Sequence, residues 1–325
     1  MQVYDLIIVG AGPCGLACGI EAHQNQLRYL ILEKGALAES IRRYPIYMTF
    51  FSTTDNIEIG GLPLSASDIK ATRVEALQYY RKVSDYFGLS LCLYTSVVRI
   101  EKSPECFWVH THRGQEFAAR HLVLATGYFD CPRRLEIPGE DLAHVKAYYD
   151  EPFPYVRQEV VIVGGGNSAV GAALDLVRHG ARVTMIVRGK DFKPTAKYWL
   201  LPDLRNRVKE GKIKAYFNSE LTEISPGQVQ VRQSNGRVFS LPADFVLTLV
   251  GYTPNVSLLE EAGVYVHPSD LKPYYHPDTM ESNVEGLYLA GTVVCGIHTE
   301  KVFIENGRYD GSKIIKHILH RQQQS

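Results

Sequence analysis

Two glycine-rich turns contain the residues best suited to bind an anionic ligand. Gly10-Ala11-Gly12-Pro13-Cys14-Gly15 fits the pattern G-x-G-x-x-G, and Gly164-Gly165-Gly166-Asn167-Ser168-Ala169 fits G-x-G-x-x-A. In such a turn the first glycine allows a tight bend, the second lets the backbone approach a pyrophosphate, and the third position lets a helix pack closely on a strand. The N-terminus of that helix attracts the anion. We therefore predict two dinucleotide sites, with Pro13, Asn167 and Ser168 among the residues that contact the ligands.

The residue that ends the second strand of each unit distinguishes the two sites. Glu33 lies 18 residues past Gly15, and an acidic residue at roughly this distance accepts hydrogen bonds from ribose hydroxyls. Arg188 stands at the matching place near the second turn, with Lys190 two residues further on. An arginine there can accommodate a 2′-phosphate, although both cations would also suit a solvated loop. The acidic and the basic site predict two different dinucleotides, FAD at the first, where Lys34 also contacts it, and NADPH at the second.

These turns must be positioned by two βαβ units. Each turn lies between a β-prone run and a helical stretch that leads into a further β-prone run. The runs are apolar throughout, which is typical of parallel strands buried on both faces. Two further strand-like runs end in glycine, at 121–127 and 287–291. The predicted fold class is α/β, with two Rossmann-like, three-layer dinucleotide-binding domains. The runs that flank the two turns are residues 4–9, 29–32, 159–163 and 182–187.

The composition excludes several classes of protein. Lys and Arg together number 35, as do Asp and Glu, so neither a basic nucleic-acid-binding face nor a lipid-binding face is expected. No apolar run reaches the ~20 residues that a membrane span needs, and the N-terminus does not have the pattern of a signal peptide. The 325 residues suffice for about two domains. Six cysteines without a C-x-x-C pair indicate free thiols in a cytoplasmic protein, with neither a disulfide scaffold nor a metal site.

Four motifs, and their order along the chain, resemble those of flavoprotein disulfide reductases that bind two dinucleotides. They are the two glycine-rich turns, Ala125-Thr126-Gly127 and the run that ends at Gly291. Size and order are similar to the low-molecular-weight thioredoxin reductase type, in which an NADPH domain is inserted into an FAD domain. The resemblance implies an FAD domain made of residues 1–127 and 254–325, and an NADPH domain made of residues 128–253.

Two departures from that type are visible. Thioredoxin reductases carry a redox C-x-x-C just before the second glycine motif, whereas residues 142–158 contain no cysteine. The glutathione reductase type is excluded as well, since no cysteine pair follows the first βαβ unit. The second departure is Gly291-Thr292, which stands where most such flavoproteins have Gly-Asp, with the acid on the ribitol. Thr292 can still form one hydrogen bond there, although the contact is weaker.

These departures indicate one branch of the family. Cys14 within Gly-Pro-Cys-Gly, together with residues 44–53, 58–61 and 303–308, closely resembles the YpdA-type bacillithiol disulfide reductases. The resemblance implies that NADPH reduces FAD by hydride transfer and that oxidised bacillithiol, or a related small disulfide, is then reduced. It also implies that Cys14 attacks the disulfide, whereas the alternative is a packing role, because related flavoproteins often have alanine here. Further FAD contacts that it implies are Thr49, Val98, Ala125, Thr126, Gly127, Gly291, Thr292, Lys301 and Val302.

Other residues compete with Cys14 for the reactive role. Cys18 lies one turn further along the same helix face, ~5–6 Å away, which favours packing over a disulfide. Cys295 is the second choice, at the flavin edge. His298 with Glu300 is a candidate proton donor for a leaving thiolate, with a solvated loop histidine as the alternative. The helix dipole favours a Cys14 thiolate and the FAD pyrophosphate opposes it, so the sequence leaves the pKa of this thiol open.

Three other functions remain open on sequence grounds. A flavin-dependent monooxygenase also combines two glycine motifs, but its F-x-G-x-x-x-H fingerprint is missing from residues 145–151. A ferredoxin or flavodoxin–NADP reductase of thioredoxin reductase shape needs no redox cysteine, but it usually carries an aromatic C-terminal extension, and residues 321–325 are polar. A nucleotide sensor would bind FAD without steady NADPH turnover. We expect a homo-oligomer, a dimer or a tetramer, that acts on a small-molecule thiol disulfide.

Overall fold

The computed structural model describes residues 3–194, 196–299 and 301–323. The chain divides into two compact units. The first unit comprises Met1–Cys131 and Thr253–Ser325, and the second comprises Pro132–Tyr252. The described strands, in chain order, are β1 (Val3–Val9), β2 (Tyr29–Leu32), β3 (Leu91–Cys92), β4 (Val97–Lys102), β5 (Phe107–Thr111), β6 (Glu116–Leu124), β7 (Val145–Lys146), β8 (Glu159–Val163), β9 (Arg182–Val187), β10 (Ile213–Phe217), β11 (Ser219–Ser225), β12 (Gly227–Gln233), β13 (Val238–Ala243), β14 (Phe245–Thr248) and β15 (Leu287–Leu289).

Helices connect these strands and cover their faces. In chain order the described helices are α1 (Pro13–Gln24), α2 (Glu39–Arg42), α3 (Thr54–Ile57), α4 (Arg73–Phe87), α5 (Asn167–Arg178), α6 (Leu201–Lys209), α7 (Ser257–Glu261), α8 (Ile304–Gly307) and α9 (Asp310–Gln322), with short 3₁₀ turns at Phe153–Tyr155 and Gly291–Cys295. Among the residues described, no helix is long and apolar enough to cross a membrane.

The first unit is built on a sheet in the order β3-β2-β1-β6-β5-β4, with β15 also paired to β6. β1 runs parallel to β2 and β6, and β15 runs parallel to β6, whereas β4, β5 and β6 pair in antiparallel fashion. The apolar run from Leu6 to Val9 is buried because strands lie on both sides of it and helices cover its faces. α1 crosses from β1 to β2, which completes the first βαβ unit.

The second unit contains a parallel sheet in the order β10-β9-β8-β14-β7 and a separate antiparallel sheet, β11-β12-β13. α5 joins β8 to β9 and packs its apolar face, including Val170 and Ala173, into the core against Met185. The predicted α/β class with two Rossmann-like units is therefore confirmed. The three-stranded antiparallel sheet has no counterpart in the sequence prediction, because strands that are buried on one face only give a weaker pattern.

One predicted strand ends earlier than expected. The run 121–127 is predicted to be a strand that ends in a turn, and β6 does end at Leu124, before Gly127. The run 287–291 is predicted to be a strand throughout, whereas β15 ends at Leu289. Gly127 has a φ of +69° and Gly291 a φ of +73°, a left-handed conformation that ends a strand. Both glycines therefore belong to the turns that follow the strands, which is the edge of a parallel sheet where ligands bind.

Candidate functional site

The first glycine-rich turn is tightly constrained at two of its three positions. Gly10 has a φ of +111°, and a Cβ on it would lie 2.5 Å from the carbonyl oxygen of Ala125. A Cβ on Gly15 would lie 2.0 Å from the carbonyl oxygen of Gly10. The parallel pairing of β1 with β6 causes this crowding, because it brings the Ala125 N–H to 2.8 Å from the Val9 carbonyl. Both positions therefore accept only glycine.

Gly12, between them, faces open space. Within the described residues, a Cβ on Gly12 would have no heavy atom within 4 Å beyond its immediate chain neighbours. Gly12 is also the N-cap of α1, where no side chain caps the helix and Pro13 occupies the first helical position. The first N–H groups of a helix have no partner within the helix and carry its positive dipole end. An anion can therefore approach the backbone at Gly12.

Glu33 ties this turn to the end of β2. Its side chain is buried, with Oε2 accepting the Ala11 N–H at 2.7 Å and Oε1 accepting the Gly35 N–H at 2.8 Å. Burial raises the pKa of the carboxyl group. Each carboxylate oxygen has a second lone pair, so Glu33 can shape the turn and still accept a ribose hydroxyl. Lys34, which was expected to contact the same ligand, forms an ion pair with Asp130 at 2.5 Å.

The turns after β6 and β15 lie side by side. The Ala290 N–H donates to the Leu124 carbonyl at 3.1 Å. A Cβ on Gly127 would lie 3.7 Å from the Thr292 hydroxyl oxygen. The structure therefore brings residues 125–127 and Gly291-Thr292, which are far apart in sequence, to one edge of the sheet together with the first glycine-rich turn.

The Cys14 sulfur is enclosed by two glycines from the C-terminal part of the chain. A Cβ on Gly291 would lie 2.9 Å from Cys14 Sγ, and a Cβ on Gly307 would also lie 2.9 Å from it. The Gly307 position is further closed by Val302, whose Cγ1 would be 3.3 Å away. The α1 N-terminus, the 3₁₀ turn at Gly291–Cys295 and α8 therefore meet at this sulfur. Burial, and then the charge of Asp310, raise the pKa of the Cys14 thiol to about 12.

Asp310 is the residue of this site that sequence reasoning missed. It begins α9, is buried, and accepts the Gly291 N–H at 2.9 Å. Burial raises the pKa of its carboxyl group to about 6, against the lowering effects of the Gly291 N–H and Lys313. One signal in the sequence points to it: Thr292 replaces the acid that is usual after Gly291, so an acid from elsewhere in the chain can be expected near this turn.

The remaining residues predicted for the first site are placed as follows. Thr49 is exposed and pairs with Thr72 in an isolated bridge. Val98 is about half exposed on the edge strand β4, which is the strand farthest from β3. Lys301 is exposed, and its N–H donates to the His298 carbonyl at 3.1 Å. Of the proton-donor pair proposed from sequence, Glu300 lies outside the described residues.

The second glycine-rich turn repeats the geometry of the first. Gly164 has a φ of +133°, and a Cβ there would lie 2.3 Å from the Leu249 carbonyl oxygen and 3.3 Å from Ala169 Cβ. Ala169 is fully buried at the third motif position. Of the residues that the structure describes, a Cβ on Gly166 would meet only the flexible side chain of Lys193, at an ordinary 3.7 Å. The backbone at Gly166 is therefore as approachable as the backbone at Gly12.

Several basic residues lie near the N-terminus of α5. Arg188 and Lys190 are exposed in the turn after β9, and Ser168 is exposed in the first turn of α5. Sequence reasoning missed Lys193 and Lys197, although both follow Arg188 within ten residues. Their placement depends on two hydrogen bonds across the turn, from the Lys193 N–H to the Gly165 carbonyl at 2.9 Å and from the Lys197 N–H to the Asn167 side chain at 2.8 Å.

The structure contains two βαβ units, each with an approachable glycine-rich turn, and a thiol is enclosed beside the first of these turns. Together these features define a class of protein. Residues 7–291 match the family described as pyridine nucleotide-disulphide oxidoreductase. The chain belongs to this family, and its cofactors are FAD and NADPH. The prediction of an NADPH-dependent flavoprotein oxidoreductase is confirmed.

The most informative relatives span the whole chain. Bacilliredoxin reductase Bdr from Bacillus subtilis (strain 168) is 36% identical over 316 residues, covering 97% of this chain and 98% of the relative. The structure of bacillithiol disulfide reductase Bdr (YpdA) from Bacillus cereus gives a TM-score of 0.96 at 36% identity, covering 98% of this chain and 100% of the other. The protein of the same name from Staphylococcus aureus gives 0.95 at 37% identity, covering 99% and 100%. The resemblance to the YpdA-type reductases is thus confirmed.

Proposed function

We propose that this chain reduces bacillithiol disulfide at the expense of NADPH, and that Cys14 is the residue that reacts with the disulfide. Two full-length relatives are named for this activity. The observation that carries the proposal for this chain is the enclosure of Cys14 Sγ by Gly291 and Gly307. Two neighbouring backbone positions without side chains therefore lie against the sulfur, at the sheet edge where the first glycine-rich turn lies.

We assign the two cofactors to the two units. In the first unit, Gly12 and the α1 N-terminus would hold the FAD pyrophosphate, and Glu33 the ribose. In the second, Gly166 and the α5 N-terminus would hold NADPH, with Arg188 and Lys190 on its 2′-phosphate. The open space beside both central glycines supports this fit. When bound, FAD accepts the hydride of NADPH and makes its electron pair available for disulfide cleavage.

Cys14 would begin the reaction as a neutral thiol, because its pKa of about 12 keeps the proton on sulfur at neutral pH. When this proton is removed, the sulfur attacks one sulfur of the disulfide, and a mixed disulfide forms while one bacillithiol thiolate leaves and takes up a proton. Two-electron reduction of the mixed disulfide releases the second bacillithiol and restores the Cys14 thiol. The sum is one disulfide, one NADPH and one proton converted to two thiols and NADP⁺.

The test is a substrate comparison with the FAD-loaded protein. NADPH consumption is followed with bacillithiol disulfide, glutathione disulfide, ferredoxin and oxygen as acceptors. Bacillithiol disulfide is expected to give the highest kcat/KM. Absence of turnover with every disulfide would contradict the proposal, and a dominant rate with ferredoxin or oxygen would favour the competing classes.

A protein disulfide is the second candidate substrate, because the Bacillus subtilis relative is named a bacilliredoxin reductase. Oxidised bacilliredoxin, the small redox protein of that name, therefore belongs in the same comparison. If it is the true substrate, its kcat/KM exceeds that of bacillithiol disulfide when each is supplied alone.

The preference for NADPH should depend on Arg188 and Lys190. In the double variant Arg188→Ala/Lys190→Ala, we expect kcat/KM for NADPH to fall about ten- to a hundredfold, because charge-assisted hydrogen bonds to the 2′-phosphate are lost. The value for NADH, which lacks that phosphate, should stay nearly constant. Arg182→Ala is the matched control, since Arg182 lies at the opposite end of β9 and pairs with Glu159. An equal loss of kcat/KM with NADPH and NADH would show that these residues do not bind the 2′-phosphate.

We also propose that the chain acts in the cytoplasm as a homo-oligomer. All six cysteines are free thiols, which is typical of a reducing compartment. Ile46, Tyr47 and Phe51 are at least 39% exposed within six residues of sequence, and clustered exposed apolar side chains are typical of interfaces. A dimer or a tetramer would cover them.

A further inference from the structure

Asp310 occupies a position that the proposed reaction does not explain. Its side chain is 6% exposed, so a carboxyl group is held away from water in the core of the first unit. Burial of an acid is unfavourable unless its oxygens have partners. Oδ2 accepts the Gly291 N–H at 2.9 Å, and this hydrogen bond joins the start of α9 to the turn after β15.

That hydrogen bond fixes a wall of the Cys14 site. Gly291 adopts a φ of +73° and lies so close to Cys14 that a Cβ on it would be 2.9 Å from the sulfur and 3.0 Å from Cys14 Cβ. Gly307, three residues before Asp310, lies equally close to the sulfur, and a Cβ on it would also be 3.1 Å from Gly291 Cα. Gly311, the next residue, packs on the backbone of Cys18, where a Cβ would be 2.8 Å from Cα. The start of α9 is therefore held against α1 on both sides of Asp310.

We propose that Asp310 is the positioning residue of Cys14: its buried carboxylate holds the Gly291 turn against the sulfur and places a negative charge close to the thiol. This inference rests on the role of Cys14 in the proposed function. A thiol that keeps its proton at neutral pH is protected from oxidation between turnovers, since the thiolate is the form that oxidants attack.

The groups that face this pair come from several elements. Cys18 on α1 and Tyr80 on α4 interact electrostatically with Cys14. Tyr275, before β15, interacts with Asp310, and so does Lys313 on α9. Burial raises the pKa of Cys18, Tyr80 and Tyr275, so these three remain neutral near pH 7. Lys313 is exposed, and its ammonium donates to the Pro277 carbonyl at 3.1 Å. Arg308, which follows Gly307, interacts electrostatically with Tyr80.

The test is the rate at which methyl methanethiosulfonate modifies Cys14 in the FAD-loaded protein, followed by mass spectrometry of the peptide that contains residue 14. Asp310→Asn keeps an oxygen that can accept the Gly291 N–H but removes the charge. We expect it to accelerate modification about tenfold near pH 8, because the thiolate becomes more populated. Asp278→Asn is the control, because Asp278 is an exposed acid. The rate at which Cys14 is modified in this variant should equal that of the wild type.

If Asp310 had a purely structural role, the modification rate of Cys14 would depend on pH in the same way in Asp310→Asn and in the wild type. This result would overturn the proposal. If the variant does not fold, the wild type provides the second measurement. Burial raises the pKa of Asp310 to about 6, so the wild-type rate should rise about tenfold between about pH 5 and pH 7 instead of about a hundredfold. A full hundredfold rise would contradict the coupling. Neither measurement uses disulfide turnover, so failure of the proposed function would be seen separately, as absence of turnover with every disulfide or as turnover that survives the loss of Cys14.

Discussion

Cys14→Ala is expected to lower turnover with bacillithiol disulfide by at least about a hundredfold, while NADPH still bleaches the visible absorbance of bound FAD at the wild-type rate. The expectation follows from the geometry, because Cys14 is the thiol enclosed at the start of α1 by Gly291 and Gly307. Removing the sulfur leaves the two glycine-rich turns intact, so loading of both nucleotides should be unchanged. The two readouts therefore separate the step that needs the thiol from the step that does not.

Cys18→Ala is the matched control for this experiment. Cys18 lies one helical turn from Cys14 on α1, is fully buried and packs against Gly311. Its loss should leave turnover near the wild-type value. If Cys14→Ala turns over bacillithiol disulfide as the wild type does, Cys14 is a packing residue, and electrons reach the disulfide without a protein thiol.

Substitution of the glycines in the first turn is expected to separate FAD binding from folding. Gly12→Ala should weaken FAD binding by about a hundredfold or more, because the methyl group occupies the space through which the pyrophosphate approaches. It should change the free energy of unfolding of the FAD-free protein by no more than about 1 kcal/mol, since the new Cβ has no neighbour within 4 Å in the described part of the chain beyond the adjoining residues, and Gly12 has an ordinary φ of −74°.

Gly15→Ala is expected to impair both properties. Its Cβ would lie 2.0 Å from the Gly10 carbonyl oxygen, a backbone atom that cannot move aside without shifting β1 or α1. Overpacking of this kind destabilises a protein by about 1–3 kcal/mol or more. Gly171→Ala on α5 is the control, because a Cβ there has no contact within 4 Å among the described residues outside its own helix, and alanine favours helix. Urea unfolding of the FAD-free proteins and FAD titration would measure the two effects, and wild-type FAD affinity in Gly12→Ala would contradict the assignment of the site.

The parts of the site that the sequence predicted are those that a short segment defines. Gly10, Gly12 and Gly15 occupy one turn, and Glu33 follows at the end of the next strand, so their types and spacing already indicate a dinucleotide site. The two βαβ units follow in the same way from runs that are apolar throughout. Spacing within one supersecondary unit is sufficient for both predictions.

The parts that sequence reasoning missed depend on packing between distant segments. Asp310 reaches Gly291 across 19 residues, and Lys197 reaches Asn167 across 30. No local pattern marks an acid at a helix start as buried, or a loop lysine as lying beside a glycine-rich turn. The pKa of Cys14 is a similar case: the helix dipole argued for a thiolate, but burial and Asp310 act in the opposite direction, and neither is visible in the residues around it.

The pairing of β6 with β15 sets the order in which the reactive site can be completed during synthesis. Leu122 on β6 pairs with Leu287 on β15, and the whole of Pro132–Tyr252 lies between them in sequence. A nascent chain that has just formed the first βαβ unit carries Cys14 without either of its glycine walls. Those walls, and the acid beside them, are synthesised only after the whole of the second unit. The first dinucleotide turn thus exists early, whereas the enclosed thiol requires the segment that follows the second unit.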